Sequence, residues 1–506
     1  MKLTRLAVTG AALCLLASAC SAGSSSTPDA SSGGGSAGDD TKLSVGLVAE
    51  PASLDFTTTD GAAIPQALLY NVYETLVKVD QQGEVVPSLA KKWTVSDDRK
   101  TYTFDLVDNA TFSNGQKFTA KDAAFSINRV KKDWTISLKS AVDVVSDAKA
   151  VSDTQLEVTL AKPSNNWLYK MSTRIGAMMS ESAVDKLATE PVGTGPFTLE
   201  KWTRGDSIAL KGNDKYWGEK PFFQDVTLKY FKDATALNNA LLTSTIDVIG
   251  TVQAPESLAQ FEGNDKFEVI EGTTNGEVLL SFNNSKAPLN DKRVRQAVRH
   301  AIDHKALLET CWAGRGELIG SMVPPTDPWY EDLTGLYPYD KAKAKALLQE
   351  SGKASTPLRL RIPSLPYAVS CGQVVKSQLE QAGFTVKLDQ LEFPAAWLTT
   401  VFKDADYDMS IISHVEPRDI GAIFGDPKYY TRYDNKDVQS ALAAADEAPE
   451  DQQVELMKKA ARTVSEDAAG DFLFLLPNLI VAEKGITGLP KNAISESFDL
   501  TGLKRS

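Results

Sequence analysis

From Thr101 the chain alternates apolar and polar positions: in TYTFDLV, Tyr102, Phe104 and Leu106 share one face, the period-two pattern of a half-buried strand. DNATFSNGQKF follows, with Asn114-Gly115 marking a turn, and then TAKDAAFSINRV. Thr119 with Asp122 three residues later is a capping-box pattern, so a helix is predicted to start there. The stretch GPFTLEKWTRGDSIALKGN reads as two strands turning at Arg204-Gly205-Asp206. DVTLKYF predicts another strand, ATALNNALL a helix and IDVIG a short apolar strand. That order is the signature of a parallel crossover. A second unit of the same kind runs through LRLRIPS, a helix over CGQVVKSQLEQAG ended by Gly383, and the strands TVKLDQL and DMSIIS. The pattern as a whole predicts a mixed α/β protein.

A chain of 506 residues exceeds what one hydrophobic core usually serves, so two or three lobes are expected. The charge balance, 54 basic against 66 acidic residues, gives −12. An acidic chain argues against nucleic-acid binding, which needs a basic face for phosphates.

The N-terminus adds an address. Lys2 and Arg5 precede an apolar run from Leu6 to Ala19, and LLASAC places small residues just before Cys20. The run is too short to span a bilayer and suits a secretory leader over residues 1–19. LLASAC resembles the lipobox of bacterial lipoproteins, with Ala17 where Leu is more usual. The resemblance implies cleavage before Cys20 and lipidation of its thiol, which would anchor the protein to a membrane surface. In residues 21–40, 12 of 20 are Ser or Gly, so residues 20–41 are expected to serve as a flexible tether. Cys14 would leave with the leader and Cys20 take the lipid, leaving Cys311 and Cys371. An oxidising compartment permits a disulfide between them, although sequence does not fix their separation.

Several longer stretches carry a family resemblance. They are EPASLD, YNVYETLVKVD, PSLAKKWTVSDDRKTYTFDL, ATFSNGQKFTAKDAAFSINR, VGTGPFTLEKW, NDKYWGEKPFFQDVTLKYF, LSFNNSKAPLNDKRVRQAVRHAIDHKALLE and SMVPPTDPWY, in this order. Together they resemble the extracellular solute-binding proteins of bacterial ABC importers, the peptide- and nickel-type family 5. The resemblance implies a two-lobed periplasmic-binding-protein type II-like fold with a hinge. Lobe I would take residues 42–85, 190–270 and 481–506, an inserted subdomain 86–189, and lobe II 271–480. It also implies a non-enzymatic, monomeric, extracytoplasmic receptor that closes on a solute and delivers it to the permease subunits, with no cofactor. Peptides or similar amine-bearing solutes are the expected ligands; a nickel chelate, haem or another solute is the alternative on the same fold.

Candidate site residues follow partly from pattern and partly from that resemblance. The strand YDMSII runs into SHVEPRD, and in peptide-binding relatives the matching loop carries an acid that pairs with the ligand's amino terminus. Here that implies Glu416 or Asp419, with His414 where an aromatic residue is common and Arg418 available to an anion. EPASLDF follows a predicted first strand, at the end where α/β sheets bind ligands, which adds Leu54 and Asp55. NGEVLLSFNN would offer its backbone to an extended peptide, which adds Gly276, Asn283 and Asn284. Enzymatic readings are weaker. HAIDH comes near the H-x-x-E-H zinc-peptidase pattern, with Asp303 in place of Glu. His300 and His304 are instead expected on a solvated helix face. After residue 41 there is no G-x-S-x-G elbow, and GTGPF lacks the spacing and Lys of a P-loop. Neither catalytic residues nor protein metal ligands are expected.

Overall fold

Three sheets organise the chain in the computed structural model, which describes residues 40–506. The leader, Cys20 and the tether as far as residue 39 lie outside the described residues. Among those described, no helix is long and apolar enough to cross a membrane.

The first sheet has seven strands, in the order Phe267–Gly272, Asn478–Glu483, Val248–Ile249, Lys42–Leu47, Asp225–Tyr230, Ser207–Gly212 and Phe197–Thr203. Lys42–Leu47 pairs in parallel with both Asp225–Tyr230 and Val248–Ile249. Helix Ala234–Leu242 carries the chain between those two neighbours, which is the predicted crossover. Gly46 sets how closely that connection packs. A Cβ there would stand 2.5 Å from side-chain carbons of Leu237 and Ile246, so only glycine fits without displacement. The second sheet, of four strands, runs Ala90–Val95, Thr101–Leu106, Gln155–Leu160 and Val145–Ser152. Helix Ala120–Asp133 packs on it and begins at Thr119, whose N–H donates to Asp122 Oδ2 at 2.9 Å. Tyr102, Phe104 and Leu106 share one apolar core with Leu43, Val45 and Leu47, so these two sheets form one lobe.

The third sheet builds the other lobe, in the order Val386–Leu391, Leu358–Pro363, Met409–His414, Glu277–Phe282 and Gly470–Leu475. Its parallel pair Leu358–Pro363 and Val386–Leu391 is joined by helix Pro366–Gln381. That helix starts five residues before the predicted Cys371, because Pro366 occupies its first turn, where a missing N–H costs nothing. Glu277–Phe282 and Gly470–Leu475 are buried at every position, which is why they show no alternation. The chain returns to the first sheet at Asn478, three residues before the boundary drawn at 481. Cys311 and Cys371 are joined by a disulfide with Cα atoms 4.9 Å apart, pinning helix His304–Trp312 to helix Pro366–Gln381.

Three of the motif segments converge on one buried carboxylate. Glu74, from YNVYETLV, accepts hydrogen bonds from Thr194 Oγ1, Tyr216 Oη and Trp217 Nε1, each at 2.8 Å. GTGPF is therefore a packing turn: a Cβ on Gly193 would lie 1.9 Å from the Val72 carbonyl oxygen. Burial pushes the Glu74 carboxyl up to about 7, against its three donors. An acid with a raised folded-state pKa binds its proton more tightly folded than unfolded, so stability falls as pH rises from about 4.5 to about 7. Glu74→Gln keeps the geometry, with its amide donating to the Tyr216 hydroxyl. It should flatten that fall, worth up to about 3 kcal/mol, in urea unfolding followed across pH.

The two lobes also meet away from the sheets. Helix Asn165–Lys170 abuts the C-terminal end of helix Lys436–Glu447, whose last carbonyls have no partner within their own helix. Asn165 Nδ2 donates to the carbonyls of Ala445 and Ala448, both at 2.8 Å, and Arg99 Nη1 to that of Glu447 at 2.9 Å. Asp446 Oδ1 accepts from Ser164 Oγ at 3.0 Å and the Asn166 N–H at 2.9 Å. Asn165→Ala should cost about 1–3 kcal/mol through the two carbonyls left unpaired, read as a lower urea midpoint.

Candidate functional site: an acidic cluster between the lobes

Strand pairing creates the site. Met409–His414 runs antiparallel to Glu277–Phe282, and Glu277 stands directly opposite His414. Opposed residues of an antiparallel pair project to the same face, so the strand ends present an acid beside an imidazole. Beyond His414 the chain turns sharply, with Arg418 at φ +55°, and Asp419 begins helix Ile420–Gly425.

His414 belongs to the wall. Its Nε2 lies 2.9 Å from the Tyr430 hydroxyl, and the two rings stack with centroids 5.9 Å apart. Burial lowers its pKa to about 3, so the imidazole is neutral at ordinary pH. Its Nδ1 is 3.9 Å from Asp419 Oδ2.

The carboxyls are crowded. Glu277 and Asp419 are both buried, and Glu277 Oε2 and Asp419 Oδ2 have no hydrogen-bond partner among the described residues. Burial raises both pKa values, and neighbouring acids add to it: Asp419 acts on Glu277, and Glu416 on Asp419. Asp327 is pushed up to about 6 by burial, held back by Arg418 and Lys170. The opposing cations are few. Lys170, half-buried on the other lobe, donates to the Pro417 carbonyl at 2.6 Å; burial pulls its pKa down while Asp419, Glu496 and Glu416 push it up. Arg418 is committed to Asp327, 3.5 Å away. Glu416, half-buried, reaches electrostatically to Asp60 and Arg174 across the junction. Four carboxyls, Glu277, Asp327, Glu416 and Asp419, thus face Lys170 and Arg418. Such an arrangement favours an incoming cation. His414, Glu416 and Asp419 also bring one ligand-type atom each to within 4.8 Å of one another, so the loop does hold a metal-competent trio that its sequence did not reveal.

Other expected residues lie elsewhere or are already engaged. Leu54 is core. Asp55 is spent on a turn, accepting from the Thr57 N–H at 2.8 Å and from the Thr57 and Thr58 hydroxyls at 2.6 and 2.8 Å. Gly276 adjoins Glu277, but its N–H is bonded to Thr274 Oγ1 at 2.8 Å and its carbonyl accepts from Leu476. Asn283 and Asn284 follow the opposite end of the same strand, roughly 20 Å from Glu277 at strand rise. Their amides bond the carbonyls of Ala405, Thr431 and Ala469. The strand's backbone is not available to a peptide, because Met409–His414 and Gly470–Leu475 pair with it on both sides.

The histidine pair does not form a metal site either. One helix ends at Ala301 and the next begins at His304. His300 is 2% exposed, not solvated, and its Nδ1 lies 2.8 Å from the Pro338 carbonyl. His304 Nε2 turns to Asp471, 2.9 Å away, beside Arg299.

Glu277, Lys170 and Asp327 were not anticipated. Glu277 carried a signal: it is the only charged residue in GEVLLSF, a run apolar enough to be buried on both faces. Lys170 and Asp327 carried none, since folding alone brings them to the loop.

Two sheet-built lobes, crossed twice by the chain and enclosing a polar cluster at their junction, define a two-lobed binding protein. Its relatives agree. A profile of the bacterial extracellular solute-binding proteins, family 5 Middle, matches residues 84–457. The chain belongs to that family. It is 32% identical over 348 residues to the nickel-binding periplasmic protein of Escherichia coli K12, covering 63% of this chain and 65% of that protein. It is 30% identical over 324 residues to the dipeptide-binding protein of the same organism, covering 58% and 59%. The matched stretches thus span less than two thirds of these two relatives. The fold is that of the Helicobacter pylori periplasmic binding protein DppA in complex with the peptide STSA. That likeness has a TM-score of 0.82 at 21% identity and covers 92% of this chain and 98% of that one.

Proposed function

We propose that this protein is the extracytoplasmic receptor of an ABC importer, held to the membrane through a lipidated Cys20, which captures peptides or similar amine-bearing solutes and hands them to the permease. The observation that carries the reading is the surplus of carboxyls at the lobe junction, with Glu277 Oε2 and Asp419 Oδ2 unpartnered. An ammonium group bound there would gain charge-assisted hydrogen bonds and offset the crowding. Residues from both lobes line the cluster, so a solute held there favours the closed form through contacts to each. Capture and delivery require no bond chemistry from this chain, and it is proposed to act as a monomer.

A thermal-shift screen tests the reading. An amine-bearing peptide at about a hundred times its Kd should add roughly 2.7 kcal/mol of stability, and the N-acetylated peptide should add far less. A second reading, a nickel chelate as cargo, is favoured by the His414, Glu416 and Asp419 trio. Stabilisation by nickel–histidine but by no peptide would support it and sink the peptide reading.

A further inference from the structure

Arg418 occupies backbone space that glycine would adopt more cheaply, at φ +55°. An outlier of this kind directs attention to what its side chain does. The guanidinium carbon lies 3.9 Å from the centroid of the Tyr169 ring and 4.9 Å from that of Trp329. Asp327 Oδ1 is 3.5 Å from Nε. Two aromatic faces and a carboxylate around a planar cation form a cation-binding cage. The cage walls come from different lobes. Tyr169 packs with Val79 and Ile494, whereas Trp329 packs with Ile420 and Phe472 in the core of the other lobe.

We propose that Arg418 is a resident cation, filling a cross-lobe cage that would otherwise admit a guanidinium or ammonium group, and thereby tying the lobes together and closing one end of the space beside Glu416 and Asp419. Its first part, occupancy of the cage, stands on geometry alone; its last clause rests on the function proposed above. Arg418 is therefore not the group that meets a solute's anion. It is a specificity determinant, because a solute's second cation finds this cage already taken.

Arg418→Gly tests the occupancy, since glycine relieves the backbone conformation and rescue by the missing fragment separates the side chain's contribution from glycine's greater unfolded-state freedom. The full chain should remain folded by circular dichroism with a lower Tm than the parent. Millimolar n-propylguanidine, the missing fragment, should raise the variant's Tm by several degrees more than the parent's. The neutral isostere n-propylurea should do neither. Tyr169→Leu, which removes one wall and keeps the cation, should lower Tm and enlarge the radius of gyration in X-ray scattering. A glycine variant as stable as the parent would overturn the proposal. So would equal shifts with propylguanidine in both proteins, or a Tyr169→Leu protein of unchanged stability and size. Because these measurements compare each variant with its parent and use no peptide, their failure leaves the amine-receptor reading standing, and failure of that reading leaves the cage assignment intact.

Discussion

Asp419→Asn should weaken binding of an amine-bearing solute by about 30-fold or more, while the ligand-free protein becomes as stable as the parent or more so. The two effects have opposite signs because the same carboxyl has two roles. In the proposed complex it would supply a buried charge-assisted contact, and removing one partner of such a pair costs about 2–5 kcal/mol. In the ligand-free protein it is a buried acid with Oδ2 unpartnered and Glu416 close by. Burial raises its folded-state pKa above 3.8. Its proton is therefore held more tightly folded than unfolded, and it subtracts from stability as pH rises above that value. Asparagine removes the penalty, so the gain should be present at neutral pH and vanish toward pH 3.8. Isothermal titration for binding and urea unfolding at two pH values for stability separate the effects. Lost binding with lost stability would instead mean that Asp419 is structural, and unchanged binding would remove it from the site.

The largest stability effect is expected at Glu496. Arg174, 1% exposed at its side chain, meets Glu496, 5% exposed. Arg174 Nε donates to Oε1 at 2.7 Å, its backbone N–H to Oε2 at 2.7 Å, and Nη1 to the Gly61 carbonyl at 3.0 Å. The pair joins the start of helix-rich segment 174–187 to the C-terminal segment, which Asn71 also holds by accepting from the Leu500 N–H and donating to the Phe498 carbonyl. Glu496→Ala leaves a buried guanidinium uncompensated, at a cost of about 3–5 kcal/mol. Arg174→Met combined with Glu496→Leu removes both charges and should recover most of that loss. A double variant no more stable than Glu496→Ala would show that the ion pair's geometry, and not the stranded charge, is what matters.

Most of the framework was legible because it rests on local periodicity. The alternation at Tyr102, Phe104 and Leu106, the cap at Thr119 and Asp122 and both parallel crossovers are statements about neighbouring residues, and the sheets carry them out. The site was only half legible. The loop from His414 to Asp419 follows a recognisable strand, and it is where the acids gather. What those acids meet depends on contacts between segments far apart in sequence: Lys170 on Pro417, Asp327 beside Arg418, Glu277 opposite His414. Such pairings are set by topology and register, so no local pattern announces them. The errors share that origin. Asn283 and Asn284 entered with a strand whose backbone was expected to meet an extended peptide, yet that strand is paired on both sides and its direction carries them to its far end. HAIDH looked like one helix face, but the chain leaves the helix at Ile302, φ −94° and ψ +118°, and the histidines part.

The central claim is that the carboxyls between the lobes read the positive end of a solute. A competition between a short-peptide library with free amino termini and the same library N-acetylated, offered together to the full chain and read by native mass spectrometry, tests it most directly. The account predicts that the bound fraction is almost wholly free-amine peptide and that Asp419→Asn abolishes the preference. Equal capture of both libraries, or a preference that survives Asp419→Asn, would contradict it.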